Sequence, residues 1–169
     1  GVRVFNFGTA GEGARARVEP ELGRRADFID RPFAALSTAL FEDGLAVELE
    51  AGADAGLPIH VVFVSSASGQ ATAVFPRLFV TAGRHSRLTL IETYVGPAGA
   101  VRLVAPVTEI VADDEATIDH YKLQREALDT FHLGLLHVET GRAANVSSQS
   151  FSLGAALACR DAGIKVGLR

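Results

Sequence analysis

The chain has 169 residues, of which 48% are hydrophobic, and its formal net charge is -4. This length suits a single domain with a substantial core. The negative charge argues against a nucleic-acid-binding surface, which needs a concentrated positive patch. No apolar run reaches the ~20 residues that span a bilayer, and no signal segment opens the chain. We therefore predict a soluble protein without nucleic-acid or membrane partners.

Cys159 is the only cysteine in the sequence. A single thiol forms no internal disulfide, which favours a reducing compartment, so we predict a cytoplasmic location. We expect this side chain to be buried and unreactive.

The N-terminal region precedes the β-rich part of the chain and carries few signals. Gly1 to Ala10 fits a strand or a docking segment whose phase shifts midway. The glycine cluster at Gly8 to Gly13 lacks the Gly-Lys-Ser/Thr ending of a phosphate-binding loop, so we interpret it as a flexible loop. Within Ala14 to Ala26, a short helix can start at Glu19.

A better-marked helix is predicted between Asp30 and Gly44. Asp30 is a suitable N-cap, Pro32 fits the first turn, and Gly44 is suited to a left-handed C-terminal residue. We expect the apolar stripe of this helix to pack against the rest of the chain and the helix to cover one end of a β stack. The stripe consists of Phe33, Leu36, Leu40 and Phe41.

Four later stretches share one layout of strand, small polar turn and strand. They are Leu45 to Val64, Arg77 to Val95, Thr108 to Glu126 and Leu135 to Phe151. In the third stretch, an alternating run is followed by an acidic turn and then by Ile118 to Arg125. The phase of that last run is mixed, which predicts an interior strand with either a bulge or two covered faces. The acidic turn consists of Asp113, Asp114 and Glu115.

The spacing of these stretches predicts the fold class. Val80, Val111 and Val138 recur at steps of roughly 30 residues, within the range of repeat architectures. We predict a mainly β chain that forms a β-solenoid, with a β-sandwich as the rival fold. The expected domain division is 1–44 for the N-terminal segment with its helix and 45–169 for the solenoid. The predicted layers are Ala71 to Val95, Ala100 to Gln124 and Thr130 to Phe151.

Three histidines and two acids near the middle of the chain are candidate metal ligands. Imidazole and carboxylate together bind zinc or iron. On a strand, however, His132 and Glu139 point to opposite faces, and no HxH or HxxxH pattern brings two ligands together. We therefore predict no metal site and interpret the histidines as structural or solvent-facing. The candidates are His120, His132, His137, Asp129 and Glu139.

The sequence also weakens the hypothesis of a polysaccharide-active enzyme. Glycoside hydrolysis needs two carboxylates on either side of the substrate, whereas Asp113, Asp114 and Glu115 share one turn. Aromatic platforms are sparse, with no tryptophan and only Tyr94 and Tyr121 as tyrosines. No nucleophile-elbow motif is present. We predict no catalytic residues.

The residues just described carry a family resemblance. The runs PFAALSTALFEDGLAVELEAGADAGLPIHVVFV, RLFVTAGRHSRLTLIETYVG, VTEIVADDEATIDHYKLQRE and SSQSFSLGAALACRD resemble the SufB/SufD family of iron-sulfur cluster assembly scaffold subunits, and SufD more than SufB. The resemblance extends from about Pro32 to Asp161. Its most specific part combines the segment Phe151 to Gly154 with His120, Tyr121, Lys122, Gln124 and Glu126.

The resemblance implies a right-handed parallel β-helix, a SufB-like paralogue as heterodimer partner and a SufC-type ATPase as a further partner. Family members are longer, with more coils and a helical C-terminal region, so we interpret this chain as a fragment. The cluster-associated cysteine and histidine positions of the family lie in that later part, and none is carried over. Cys159 alone cannot hold a cluster, which usually takes four protein ligands. We expect no cofactor on this chain alone and a cluster only in the full complex.

Two further expectations concern binding. Neither Lys122 nor Lys165 follows a glycine-rich loop, so the isolated chain is not expected to bind ATP. The last coil, Gly141 to Arg169, is expected to expose an edge that promotes self-association. A β-solenoid interaction module without a cluster role is the alternative to a non-catalytic SufD-like scaffold.

Overall fold

The computed structural model describes residues 1–23, 31–66 and 69–167. Within these ranges the chain forms two short helices and a series of strands. In chain order they are β1 (Val2–Asn6), α1 (Glu12–Val18), α2 (Pro32–Leu40), β2 (Gly44–Leu49), β3 (Ile59–Val64), β4 (Thr72–Val74), β5 (Arg77–Ala82), β6 (Arg87–Gly96), β7 (Arg102–Val104), β8 (Val107–Ala112), β9 (Thr117–Glu126), β10 (Thr130–Thr140), β11 (Asn145–Ser152) and β12 (Leu157–Val166).

The strands form a β-solenoid of about four turns, as predicted. Sheet A has the order β1-β2-β5-β8-β10-β7-β4, with β12 also paired to β10, and sheet B has the order β11-β9-β6-β3. Every pairing between successive coils is parallel. The three predicted layers stack as expected, and the β-sandwich, which requires antiparallel sheets, is wrong.

The predicted register was wrong by one residue at one position. Val80 pairs with Ile110, and Ile110 pairs with Val138. Val111 lies instead beside Thr81 and points to the outer face of sheet A, where it packs against the cluster that contains Phe79. A shift of one residue reverses the face to which a strand side chain points, so Ile110 is the buried core residue here.

Strand β9 is an interior strand, as predicted, with β6 and β11 on its two sides. Its burial alternates strictly: Ile118, His120 and Lys122 are buried, whereas the residues between them are partly exposed. Neither a bulge nor a second covered face explains the mixed sequence pattern. The inward positions of β9 carry polar residues, so hydrophobicity alone does not report the phase of the strand.

The N-terminal segment differs from the prediction in its details. Strand β1 pairs antiparallel with β2 and covers the edge of sheet A. Helix α1 runs from Glu12 to Val18, before the predicted start at Glu19. In α2 the N-cap is Arg31, without a side-chain cap, and Asp30 lies outside the described residues. Gly44 does not end the helix in a left-handed conformation but begins β2.

The predicted packing stripe of α2 was wrong for three of its four residues, whereas Phe41, just after the helix, packs against the cluster that contains Phe79. Phe33, Leu36 and Leu40 are 47%, 38% and 50% exposed, and the helix is buried through Ala34 and Ser37. Small side chains let a helix approach a sheet closely, and Ala34 packs against Val107 and Leu135. These two residues lie on the outer face of sheet A. Helix α2 therefore covers that face and does not cap an end of the solenoid.

Neighbouring atoms leave no room for a side chain at Gly44. A Cβ atom at this position would lie 2.5 Å from Phe7 Cε2 and 2.6 Å from the carbonyl oxygen of Arg77. We expect Gly44→Ala to lower the free energy of unfolding by about 1 to 3 kcal/mol through overpacking, measured by urea denaturation. Gly13→Ala in α1 is the control, since no atom lies within 4 Å of the place that its methyl group would occupy. Equal effects of the two substitutions would contradict this packing.

The last strands expose apolar side chains. Phe151 and Leu153 are 48% and 70% exposed, whereas Val146 packs against the core. Phe151 pairs with Leu123, at an outward position of sheet B. Self-association through this region stays a prediction.

Candidate functional site

The interior of the solenoid has an apolar half and a polar half. The apolar half contains Val47, Val80, Ile110, Ile118 and Val138. The polar half lies toward the C-terminal ends of the sheet B strands and the start of β10. We call it the interior polar cluster. Its members are Glu92, Tyr94, Thr108, His120, Lys122, Gln124, Glu126, His132, Ser148 and Arg160.

The parallel register brings this cluster together. Leu90, His120 and Ser148 occupy one ladder across β6, β9 and β11, and Glu92 pairs with Lys122 in the ladder next to it. In a parallel solenoid, equivalent positions of successive coils stack directly on each other. Residues that are far apart in sequence therefore become neighbours inside the coil.

Glu92 is the central acid of the cluster and is fully buried. Thr108 Oγ1 donates a hydrogen bond of 2.8 Å to Glu92 Oε2, and His120 Nε2 lies 3.1 Å from the same oxygen. Lys122 Nζ is 3.9 Å from Glu92 Oε1. Burial alone raises the pKa of Glu92, but the hydrogen bond from His120 and the charge of Lys122 outweigh it and lower the pKa to about 2. Glu92 is thus a carboxylate throughout the neutral range.

Lys122 is the cation that balances Glu92. Burial lowers its pKa, although Glu92 opposes this change. Its ammonium lies 4.8 Å from the centre of the Tyr94 ring, within cation-π distance. A Cβ atom at residue 134 would lie only 2.5 Å from Lys122 Nζ. Gly134 therefore leaves the space that the lysine head group occupies.

A second group of side chains surrounds Glu126. Gln124 Nε2 donates to Glu126 Oε2 at 3.0 Å, and His132 Nδ1 lies 2.7 Å from the same oxygen. Burial lowers the pKa of His132 despite this carboxylate, so the ring is neutral at pH 7 and its Nδ1-H is the donor. The Tyr94 ring meets His132 edge-on at 4.9 Å and connects the two groups.

The buried state of Glu92 predicts an acid-sensitive stability. Its folded pKa of about 2 lies below the ordinary value of 4.5, so its stabilising contribution is present above pH 4.5 and is lost as the pH falls toward 2. Urea denaturation across this window is expected to show a falling free energy of unfolding. In Glu92→Gln, the slope between pH 4.5 and 2 is expected to decrease. An identical slope in both proteins would show that Glu92 is not the responsible group.

The family model described as SUF system FeS cluster assembly, SufBD core domain, matches residues 63–166, more than half of the chain. The chain belongs to the SufBD family. The description of the family refers to the SUF system of iron-sulfur cluster assembly. A relative, the iron-sulfur cluster assembly SufBD family protein slr0076 of Synechocystis sp., is 26% identical over 155 residues, which cover 85% of this chain and 33% of that protein. The SufBD chain described here thus spans about a third of the length of this curated relative.

In this SufBD chain, the predicted metal-ligand candidates are separated. His120 and His132 lie in the interior polar cluster. His137 lies on the outer face of sheet A, with its Nε2 3.5 Å from Glu139 Oε1, and an Asp129 oxygen accepts the Gly99 amide. Across residues 1–23, 31–66 and 69–167, no group of three His, Cys, Asp or Glu side chains has a metal-binding arrangement.

Cys159 contradicts the expectation of a buried thiol. It is exposed and lies on β12 at an outward position of sheet A, where it pairs with Leu133 of β10. The interior position next to it is taken by Arg160. The thiol therefore lies outside the polar cluster.

The acidic turn lies at a corner of the solenoid. Asp113 and Glu115 are exposed, and Asp114 Oδ1 accepts the Arg142 amide of the next coil at 2.8 Å. Glu115 has a positive φ of 60°, and His85 at the equivalent turn has a positive φ of 59°. Within the described part of the chain, these acids stabilise the stacked turns.

Sequence reasoning missed several members of the cluster. No role was predicted for four of them, because nothing in their own segments distinguishes them from other polar residues. They are Glu92, Thr108, Ser148 and Arg160. One signal was available: Glu92, His120 and Ser148 follow each other at a constant spacing of 28 residues. In a solenoid, such a period brings side chains to neighbouring places.

None of the helices in the described ranges has the length and apolar character needed to cross a membrane.

Proposed function

We propose that this chain is the β-solenoid body of a SufD-like scaffold subunit that catalyses no step of iron-sulfur cluster assembly. The observation that supports this most strongly is the SufBD core match over residues 63–166, which runs from β3 to the end of β12. The interior polar cluster lies entirely inside this range. Its charges are paired within the chain, as in the Glu92 and Lys122 pair, and this arrangement suits a structural role.

We further propose a SufB-like paralogue and a SufC-type ATPase as partners, with any cluster held only in the full complex. The outer face of sheet B is the surface available for such contacts, because it exposes Val62 (47%), Val64 (73%) and Phe151 (48%). By contrast, α2 covers part of the outer face of sheet A. A cytoplasmic location accompanies the proposal, since the single thiol of Cys159 is free.

Co-purification tests the partners. The tagged product of the complete gene and the chain described here are each mixed with a purified SufB-like paralogue and SufC-type ATPase and separated by size exclusion. The gene product is expected to elute with both partners. Elution of the gene product alone would overturn the scaffold proposal. The alternative, a β-solenoid interaction module without a cluster role, predicts that the chain binds only copies of itself. Light scattering across a dilution series would detect this self-association.

The contact surface is tested with two substitutions on one strand. Phe151→Glu is expected to weaken binding to the partner subunits, or self-association under the alternative hypothesis, because it places a charge on an apolar contact. Gln149→Glu is the matched control, since it adds the same charge at the preceding outward position of β11. If both variants bind as the wild type does, this face is not the interface.

The isolated chain is expected to bind no ATP. The glycine cluster at Gly8 to Gly13 contains no lysine, and Lys122 is buried beside Glu92, where it cannot contact a phosphate. Titration calorimetry with the pure chain and magnesium ATP is expected to show no saturable heat. Micromolar binding would mean that the nucleotide site has been assigned to the wrong subunit.

A further inference from the structure

A continuous chain of hydrogen bonds links a serine, a histidine and a glutamate from three successive coils. Ser148 Oγ lies 2.8 Å from His120 Nδ1, and His120 Nε2 lies 3.1 Å from Glu92 Oε2. We propose that Ser148 is a nucleophile that accepts an acyl group from small activated esters, with His120 as its general base and Glu92 as the residue that orients His120. This reactivity goes beyond the scaffold function.

The protonation of this chain of residues follows from the charge of Glu92. With a pKa of about 2, its carboxylate is ionised at neutral pH and only accepts hydrogen bonds. In the neutral tautomer of His120 that donates its Nε2-H to Glu92, the Nδ1 lone pair faces Ser148. The serine hydroxyl then donates to Nδ1. This is the arrangement in which a histidine removes the proton of a serine, with the two ring nitrogens exchanged relative to the usual triad.

Arg160 supplies the positive charge that such a site needs. Its Nη2 donates a hydrogen bond of 2.6 Å to Ser148 Oγ, so the guanidinium stabilises negative charge on that oxygen. In the described part of the chain, Arg160 Nε is buried and has no hydrogen-bond partner. An unused donor beside the nucleophile is available to the oxygen that becomes negative when the carbonyl is attacked.

The proposed step balances without a cofactor. Ser148 Oγ bonds to the ester carbonyl carbon as its proton passes to His120 Nδ1. The bond from that carbon to the leaving oxygen breaks, and the leaving alkoxide takes the proton from His120. Water then hydrolyses the seryl ester by the same path, which regenerates Ser148 and releases the acid.

The position of Ser148 permits access by a small molecule. It lies on β11 of sheet B and is only half-buried. Ser150, at the next inward position of the same strand, pairs with Lys122 and not with a histidine. These two serines thus share a strand and a face but differ in their catalytic neighbours.

The test is acetylation by p-nitrophenyl acetate, using the chain described here at pH 7. Release of p-nitrophenolate is followed by absorbance, and the modified residue is identified by peptide mass spectrometry. We expect an acetyl group on Ser148. Ser148→Ala is expected to remove the labelling, and Ser150→Ala, the matched control, to leave it unchanged. His120→Gln is expected to slow labelling of Ser148 by roughly 100-fold or more, the usual contribution of a general base.

Because His120 is buried, the folded state of His120→Gln is checked by circular dichroism. If that variant does not fold, Ser148→Cys and Ser150→Cys are compared by the rate of iodoacetamide alkylation, and the thiol at position 148 is expected to react faster. An unlabelled Ser148 in the folded wild type overturns the proposal. So does equal labelling in wild type and His120→Gln, or equal alkylation of the two thiols. Partner binding does not depend on these outcomes, so failure here leaves the scaffold proposal unaffected.

Discussion

Replacing Glu92 with glutamine is expected to lower the free energy of unfolding by about 3 to 5 kcal/mol, the usual cost of removing one partner of a buried ion pair. Glutamine has nearly the same shape, so packing changes little. The substitution leaves Lys122 as an uncompensated charge that is only 5% exposed. Urea denaturation of both proteins at pH 7 measures the difference.

The double variant Glu92→Gln with Lys122→Met isolates the electrostatic part of this loss. Removing both charges leaves no buried ion unpaired, and methionine keeps most of the lysine volume, so the double variant is expected to be more stable than Glu92→Gln alone. Lys122→Met is measured alone as well. If the loss of unfolding free energy in the double variant equals the sum of the losses in Glu92→Gln and Lys122→Met, the two side chains do not interact in the folded protein.

The second large effect is expected at the outer face of sheet A. Arg77 Nη2 lies 2.9 Å from Glu109 Oε2, and both side chains are fully buried. Arg77 also donates to Thr38 Oγ1 of α2 at 3.1 Å and lies over the Phe41 ring at 5.3 Å. Burial lowers the pKa of Arg77 although Glu109 opposes this. This pair therefore joins the helix to the solenoid.

Glu109→Gln is expected to cost about 3 to 5 kcal/mol, because arginine stays charged and loses its buried counter-ion. The control is Arg84→Ala, which removes an exposed contact of 3.6 Å with Asp114 and is expected to cost at most about 1 kcal/mol. The comparison uses urea denaturation at pH 7. Similar losses for the two variants would contradict the burial of the Arg77 and Glu109 pair.

The strands of this fold were predictable because their determinants are local. β-Branched residues are frequent in runs such as Val107 to Ala112, and a short polar turn separates each run from the next. Repetition of the same layout then predicted stacked coils. The exact register between strands was harder to predict from the sequence. Ile110 and Val111 are both apolar, and they differ only in which of them faces the interior of the solenoid.

The helix α2 shows what local patterns do not determine. Its apolar stripe of Phe33, Leu36 and Leu40 has the correct helical spacing but remains partly exposed. The sheet surface beneath selects Ala34 and Ser37 because small side chains permit close approach. Which face a helix buries depends on the partner surface, and that surface is formed by residues distant in sequence.

The candidate site was only partly predictable. The family resemblance singled out His120, Lys122 and Glu126 without a role for any of them, and His120 was also considered as a metal ligand. Their partners come from other coils, as Glu92 does from β6 and Ser148 from β11. Each such contact depends on the register between strands, so segments considered one at a time do not reveal it.

A crystal structure of the chain would show directly whether parallel coils place Glu92, His120 and Lys122 together inside a solenoid. We expect Ile110 to pair with Val80 and Val138, and the Glu92 carboxylate to lie within hydrogen-bond distance of Thr108 and His120. Two antiparallel sheets packed face to face would contradict the fold. A register that places Lys122 in solvent would contradict the interior polar cluster.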